Sequence, residues 1–182
     1  KILISPGTGL GLAGIIGGKV ISTEAGHINI STAITNDNLA VIINEFMIKE
    51  GRAPTYEDFL SGKGISRFYT FFSNDKKLKL TNEEILAKRN DSSALQAINL
   101  LNYLLASYLR YVTLVWGATG GVFLSGSIVN SLVLTEDYQN FRDVFESSDT
   151  MRIVLESAPI AIVRDEEIGF LGGMEIAKKL LN

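Results

Sequence analysis

The stretch Ile2-Leu3-Ile4-Ser5-Pro6-Gly7-Thr8-Gly9-Leu10-Gly11-Leu12-Ala13-Gly14-Ile15-Ile16-Gly17-Gly18-Lys19-Val20-Ile21-Ser22-Thr23 decides the fold. Ile2–Ser5 is a short apolar run stopped by Pro-Gly, the pattern of a buried strand. Leu12–Ile16 and Lys19–Thr23 are rich in β-formers and are separated by Gly17-Gly18. Two glycines between two such runs signal a hairpin, because the primed turns that match strand twist need positive φ. The chain therefore opens as strand, glycine turn, strand, tight turn, strand. Between the first two strands, Gly7, Gly9 and Gly11 alternate with Thr8 and Leu10. Such a backbone bends sharply and approaches a ligand closely. Its N–H groups can converge on phosphate oxygens, with the Thr8 hydroxyl as one more donor. No Lys-Ser or Lys-Thr pair follows, so this is not the P-loop of nucleotide hydrolases. A ligand-free hairpin would carry the same glycines.

Beyond Thr23 the texture turns helical. Asp37–Lys49 places Leu39, Ile42, Ile43 and Phe46 on one face, and Gly51-Arg52-Ala53-Pro54 ends it. Thr55 and Asp58 stand at capping-box spacing for a short helix. Ile65–Phe72 reads as a helix with an aromatic face, Ser73–Leu80 as a polar connection, and Thr81–Lys88 as a capped helix with acidic residues in its first turn. Ser92–Trp116 is the longest helix. Its apolar stretch from Leu100 is interrupted by Asn102, Ser107, Arg110 and Thr113, which favours a buried helix over a membrane span. Then come a glycine-led strand at Gly120–Ser125, a helix over Ile128–Leu134, short helices at Tyr138–Phe145 and Met151–Glu156, and a strand at Ala158–Val163. A terminal helix follows at Ile168–Leu181, opened by a Gly-rich turn. Strands first and helices interleaved later predict an α/β layer structure with a mixed central sheet.

Length and composition narrow the function. The 182 residues fit one domain, or one domain with a short extension, and 46% hydrophobic content supports a substantial core. A net charge of -3 gives no electrostatic pull toward nucleic acid or an anionic membrane. Cysteine is absent, which removes disulfides and thiolate metal sites and is compatible with a cytoplasmic location. The sequence opens on Lys1 inside a strand-like run with no basic-then-apolar leader, so a chain cut from a longer one is expected.

Three further clusters can carry chemistry. Glu24-Ala25-Gly26-His27 holds the single histidine of the chain, three residues from a carboxylate. Carboxylates accept hydrogen bonds from paired hydroxyls and a neutral imidazole donates or accepts, so both suit a polyol; a surface His is the plainer reading. Glu57-Asp58-Phe59-Leu60-Ser61-Gly62-Lys63-Gly64 couples an acidic helix start to a glycine break, or is an ordinary capped helix with a glycine end. Gly120-Gly121-Val122-Phe123-Leu124-Ser125-Gly126-Ser127 ends a strand in small residues at a helix start, where α/β folds bind ligands or simply pack tightly.

Taken in order, these motifs resemble the bacterial glucokinases of the actin-like sugar-kinase superfamily. The likeness rests on Gly-Thr-Gly-Leu-Gly at Gly7–Gly11, Glu-x-Gly-His at Glu24–His27, and Glu-x-x-Leu-Ser-Gly-x-Gly at Glu57–Gly64 followed by Tyr69. It extends to Gly-Gly-Val-Phe-x-x-Gly at Gly120–Gly126, to Ala158-Pro159-Ile160 and to Gly169-Phe170-Leu171-Gly172-Gly173. Ala25, Lys63 and Ser127 depart from the usual Gly, Pro and Gly.

The resemblance implies a ribonuclease H-like (actin-like ATPase) large domain over residues 1–167. The helix 168–182 would dock on a small N-terminal domain that the chain does not contain. By the same resemblance, Glu24, His27 and Glu57 bind glucose or a related hexose. Gly7, Thr8, Gly9 and Gly11 hold the phosphates of Mg-ATP, and Gly120, Gly121 and Gly126 lie on the adenosine side. The family's catalytic Asp belongs to the small domain, so no catalytic residue and no protein metal ligand is expected here. The chain alone should then be inactive, with an exposed apolar face on its last helix able to support a homodimer. The alternative is a non-catalytic sugar sensor or repressor of the related kinase group. Those proteins usually carry a cysteine-rich zinc motif after the sugar-binding His, and this chain has no cysteine.

Overall fold

The computed structural model describes residues 1–30, 36–75, 79–88, 90–131, 138–165 and 167–181. The opening stretch forms β1 (Ile2–Pro6), β2 (Leu10–Ile16) and β3 (Lys19–Thr23), an antiparallel meander with Ile4 opposite Leu12 and Gly14 opposite Ile21. A single 3-10 turn at Ala25–His27 leads to α1 (Asp37–Glu50), α2 (Tyr56–Phe59), α3 (Gly62–Phe72), α4 (Asn82–Ala87) and α5 (Ser92–Trp116). The chain then returns to the sheet as β4 (Val122–Leu124), leaves through α6 (Ser127–Ser131), α7 (Tyr138–Glu146) and α8 (Arg152–Ser157), adds β5 (Ile160–Ile162) and ends in α9 (Ile168–Leu181). The strand order is β3-β2-β1-β4-β5, with β4 parallel to β1 and β5 parallel to β4. The sheet is mixed, as expected.

Local chemistry sets the helix limits. Asn36 Oδ1 accepts the Leu39 N–H at the start of α1, and Gly51 closes that helix with φ +67°. Asp91 does the same for α5 through the Ala94 N–H at 2.8 Å. In α4, the Glu84 carboxylate accepts from the Thr81 N–H and the Thr81 hydroxyl accepts from the Glu84 N–H, so two orphan amides are satisfied at once. Inward-facing Ile2, Ile4, Leu10, Leu12, Val122 and Leu124 share one buried cluster with Leu101, Leu104, Leu105 and Leu109 of α5. Each such side chain stabilises the fold by about 2 kcal/mol before the ordering entropy is subtracted. The long apolar helix is therefore the spine of the core, and no helix among the described residues is long and apolar enough to cross a membrane.

Several boundaries differ from expectation. β2 starts at Leu10, so Gly11 lies inside the strand opposite Ser5 and not in the loop. α3 starts at Gly62, three residues early, because the Gly62 N–H donates to the Gly7 carbonyl at 2.9 Å and anchors the first turn. The strand expected at Gly120–Ser125 shortens to Val122–Leu124, since Gly121 has φ +128° and breaks the extended run. The helix expected at Ile128–Leu134 is seen as Ser127–Ser131, and residues 132–134 lie outside the described ones. In α9, Gly169, Gly172 and Gly173 lie within the helix instead of forming a turn ahead of it. That helix exposes Phe170, Ile176, Leu180 and Leu181.

Candidate functional site

The site gathers at the end of the sheet where β1 leaves and β2 begins. Gly7, Thr8 and Gly9 make the connecting loop, and the Gly7 N–H donates back to the Gly9 carbonyl at 2.8 Å. Among the described residues, the Thr8 and Gly9 N–H groups and the Thr8 hydroxyl carry no hydrogen bond. They are the donors available to an anion. The second element is the 3-10 turn. Gly26 is buried there so tightly that a Cβ would stand 2.3 Å from the Leu10 carbonyl oxygen, so only glycine allows this approach. The turn thus lies directly on the start of β2 and projects Glu24 and His27.

The third element is α2. The Ile30 N–H donates to the Pro54 carbonyl and the Tyr56 N–H to the Ile28 carbonyl, which ties the segment after His27 to the start of this helix. Thr55 and Asp58 form the anticipated capping box, with the Asp58 carboxylate accepting from the Thr55 N–H at 2.8 Å. Arg52 grips the same carboxylate through two 2.8 Å hydrogen bonds, a planar bidentate pair. Arg67 donates to the Asp58 carbonyl and, like Arg52, lies 5.0 Å over the Phe46 ring. This brace fixes the back of α2 and leaves Glu57 free to face the site.

Burial alone would push the Asp58 carboxyl up. The Arg52 hydrogen bonds and the Thr55 N–H and hydroxyl outweigh it and bring the value to about 2, from an ordinary 3.8. The folded value is depressed, so ionised Asp58 supports the fold above about pH 4. That support is lost as the pH falls from about 4 toward about 2. Asp58→Asn should therefore flatten the stability–pH curve across that window in thermal melts, and an unchanged slope would contradict the brace.

The three predicted sugar residues converge. His27 Nδ1 is 3.6 Å from Glu24 Oε2, and His27 Nε2 is 3.7 Å from Glu57 Oε1. Both gaps exceed a hydrogen bond, so the polar edges are not bonded to each other and a hydroxyl can bridge either pair from the open side. Glu57 Oε2 accepts the Leu10 N–H at 2.8 Å, joining the carboxylate cluster to the glycine loop. Glu24 is 90% exposed and His27 58%, against 33% for Glu57. The site is an open edge, not an enclosed cavity. A cleft of about 720 Å³ lies elsewhere, between α1 and α3, lined by Phe46, Phe59 and Arg67.

The glycines of the fourth motif separate. Gly126 sits beside β1's exit, where a Cβ would be 2.7 Å from the Pro6 carbonyl oxygen, so it adjoins the phosphate loop. Gly120 and Gly121 sit at the other end of β4, next to Lys1 and Ile2. β4 separates them from Gly126 and sets them at the opposite end of that strand, so the structure does not bring them to the site. Sequence reasoning missed the Arg52–Asp58–Arg67 brace. The Thr55–Asp58 box was its visible half; nothing local marks the two arginines.

Comparison with known proteins places the chain in a family. A glucokinase family profile matches residues 1–180. A glucokinase of Neisseria gonorrhoeae is 31% identical over 182 residues, covering 94% of this chain and 55% of that protein. The chain thus spans about half the length of the curated relatives it matches. Among solved structures, glucokinase from Balamuthia mandrillaris in complex with glucose aligns with a TM-score of 0.75 at 23% identity, over 87% of this chain and 48% of that one. A ROK family glucokinase from Streptomyces griseus in complex with glucose and AMPPNP aligns with a TM-score of 0.71 at 18% identity, over 98% of this chain and 60% of that one. The fold is that of the actin-like sugar kinases, and the chain belongs to the glucokinase family.

Proposed function

We propose that this chain is the C-terminal portion of a cytoplasmic glucokinase that transfers the γ-phosphoryl group of ATP to the 6-hydroxyl of D-glucose. The observation that carries the reading is the convergence of Glu24 and Glu57 on His27, at 3.6 and 3.7 Å, at the same end of the sheet as the Gly7–Gly9 loop. Two carboxylates and an imidazole accept and donate to a row of hydroxyls, which is the chemistry of a sugar. The loop offers the Thr8 and Gly9 N–H groups and the Thr8 hydroxyl to phosphate oxygens. Gly126, beside Pro6, belongs to the nucleotide side. Glu24 and Glu57 position the sugar. The base that accepts the 6-hydroxyl proton comes from the other half of the enzyme.

The donor set fits ATP. In this reading Mg2+ accompanies the ATP phosphates, as it does in phosphoryl-transfer sites generally. When bound it neutralises phosphate charge. The openness of the site supports a cleft whose second wall is another domain. The exposed apolar residues of α9, from Phe170 to Leu181, support docking of that helix on the same domain, with dimerisation of the isolated chain as its other outlet. The test is a coupled assay on the complete enzyme with Mg-ATP and a panel of hexoses. Glucose 6-phosphate formation is expected, and its absence at every sugar concentration refutes the reading.

A further inference from the structure

We propose that Gly9 is a positioning residue for the sugar, acting through Glu57, and that the phosphate loop and the sugar site are thereby one mechanical unit. The inference rests on the glucokinase reading and goes beyond the separate roles it gives the two residues. Glu57 Oε2 accepts the Leu10 N–H at 2.8 Å, from a residue 47 positions away in sequence. The same oxygen lies where a Cβ on Gly9 would come within 2.8 Å. The missing side chain at position 9 is thus the space that the Glu57 carboxylate occupies. A second link runs in parallel, from the Gly62 N–H to the Gly7 carbonyl at 2.9 Å. Both ends of the Glu57–Gly62 segment are therefore tied to the loop.

The Glu57 carboxylate has two oxygens with separate duties. Oε2 reads the loop through the Leu10 N–H, and Oε1 faces His27 Nε2 at 3.7 Å, where a sugar hydroxyl would bridge the two from the open side. Moving the loop moves the carboxylate. Gly9 does not have positive φ, so an alanine can adopt its backbone. The neighbour that must yield is the far end of a flexible side chain. Gly9→Ala should then fold, keep the loop N–H donors and swing the Glu57 carboxylate away. A substitution in the phosphate loop is expected to show its main effect on the sugar.

Steady-state kinetics of the complete enzyme test this. Gly9→Ala should raise the glucose KM on the order of tenfold while the ATP KM changes less than about twofold. Glu57→Asp withdraws the carboxylate by one methylene and removes the collision. The double variant should therefore be no worse for glucose than Glu57→Asp alone. An ATP KM that rises while the glucose KM stays put overturns the inference, as do additive effects in the double variant. Hydrogen exchange supplies an arm that needs neither turnover nor the Gly9 variant. The Leu10 amide should exchange at least about tenfold faster in Glu57→Ala than in the wild type. Equal exchange breaks the link. A wild type that neither binds nor phosphorylates glucose sinks the kinase reading and leaves the exchange arm to judge the Gly9–Glu57 unit.

Discussion

The 182-residue chain, supplied with Mg-ATP and glucose, should form no glucose 6-phosphate above the uncatalysed background. Phosphoryl transfer between these substrates depends on positioning, on neutralising phosphate charge and on an oriented nucleophile. In the proposed reading the chain meets each requirement only in part. Among the described residues, the Thr8 and Gly9 amides and the Thr8 hydroxyl carry no hydrogen bond, and in that reading they face one side of the phosphates. Glu24 and His27 are largely open to water, which weakens their hold on a sugar and admits a competing nucleophile. Glu57 has one oxygen committed to the Leu10 N–H and is poorly placed to act as a base. General-base catalysis alone contributes about 10²- to 10⁴-fold, and domain closure adds to it. The complete enzyme should therefore exceed the isolated chain by at least about 10⁴-fold. Turnover by the isolated chain in a coupled assay would show that the catalytic group lies within it.

Glu57→Gln in the complete enzyme is expected to lower kcat/KM for glucose by about 100-fold, split between a higher KM and a lower kcat. The change removes the charge and turns one of two accepting oxygens into a donor. If the amide nitrogen faces Leu10, two donors oppose each other. If it faces His27, a sugar hydroxyl loses its strongest acceptor. Either orientation moves the sugar relative to the phosphate loop, and a displacement near 1 Å is enough for such a loss. Folding should survive, since the brace on α2 runs through Asp58, Arg52 and Arg67 and does not pass through Glu57. Kinetics matching the wild type would remove Glu57 from the site.

Local signals carried the sequence reading a long way. Gly17-Gly18 does form the tight turn, with φ of +56° and +78°, and the opening meander follows from it. The Thr55–Asp58 spacing and the limits of α5 and α9 were legible because caps and periodicity are written within a few residues. Convergence of Glu24, His27 and Glu57 was legible only through the order of the motifs taken together. Long-range contacts decide the remainder. The Glu57–Leu10 bond spans 47 positions, and the Gly62 N–H finds its acceptor at Gly7, so neither has a local mark. The same holds for Gly120 and Gly121. They look like a ligand-binding pair beside Gly126, yet β4 lies between them and sets them at its opposite ends.

The most direct test of the account is a structure of the complete enzyme with glucose bound. It should show sugar hydroxyls within about 3.2 Å of the Glu24 and Glu57 carboxylates and of the His27 ring, next to the Gly7–Gly9 loop. Glucose held elsewhere, with all three side chains turned away from it, would contradict the account.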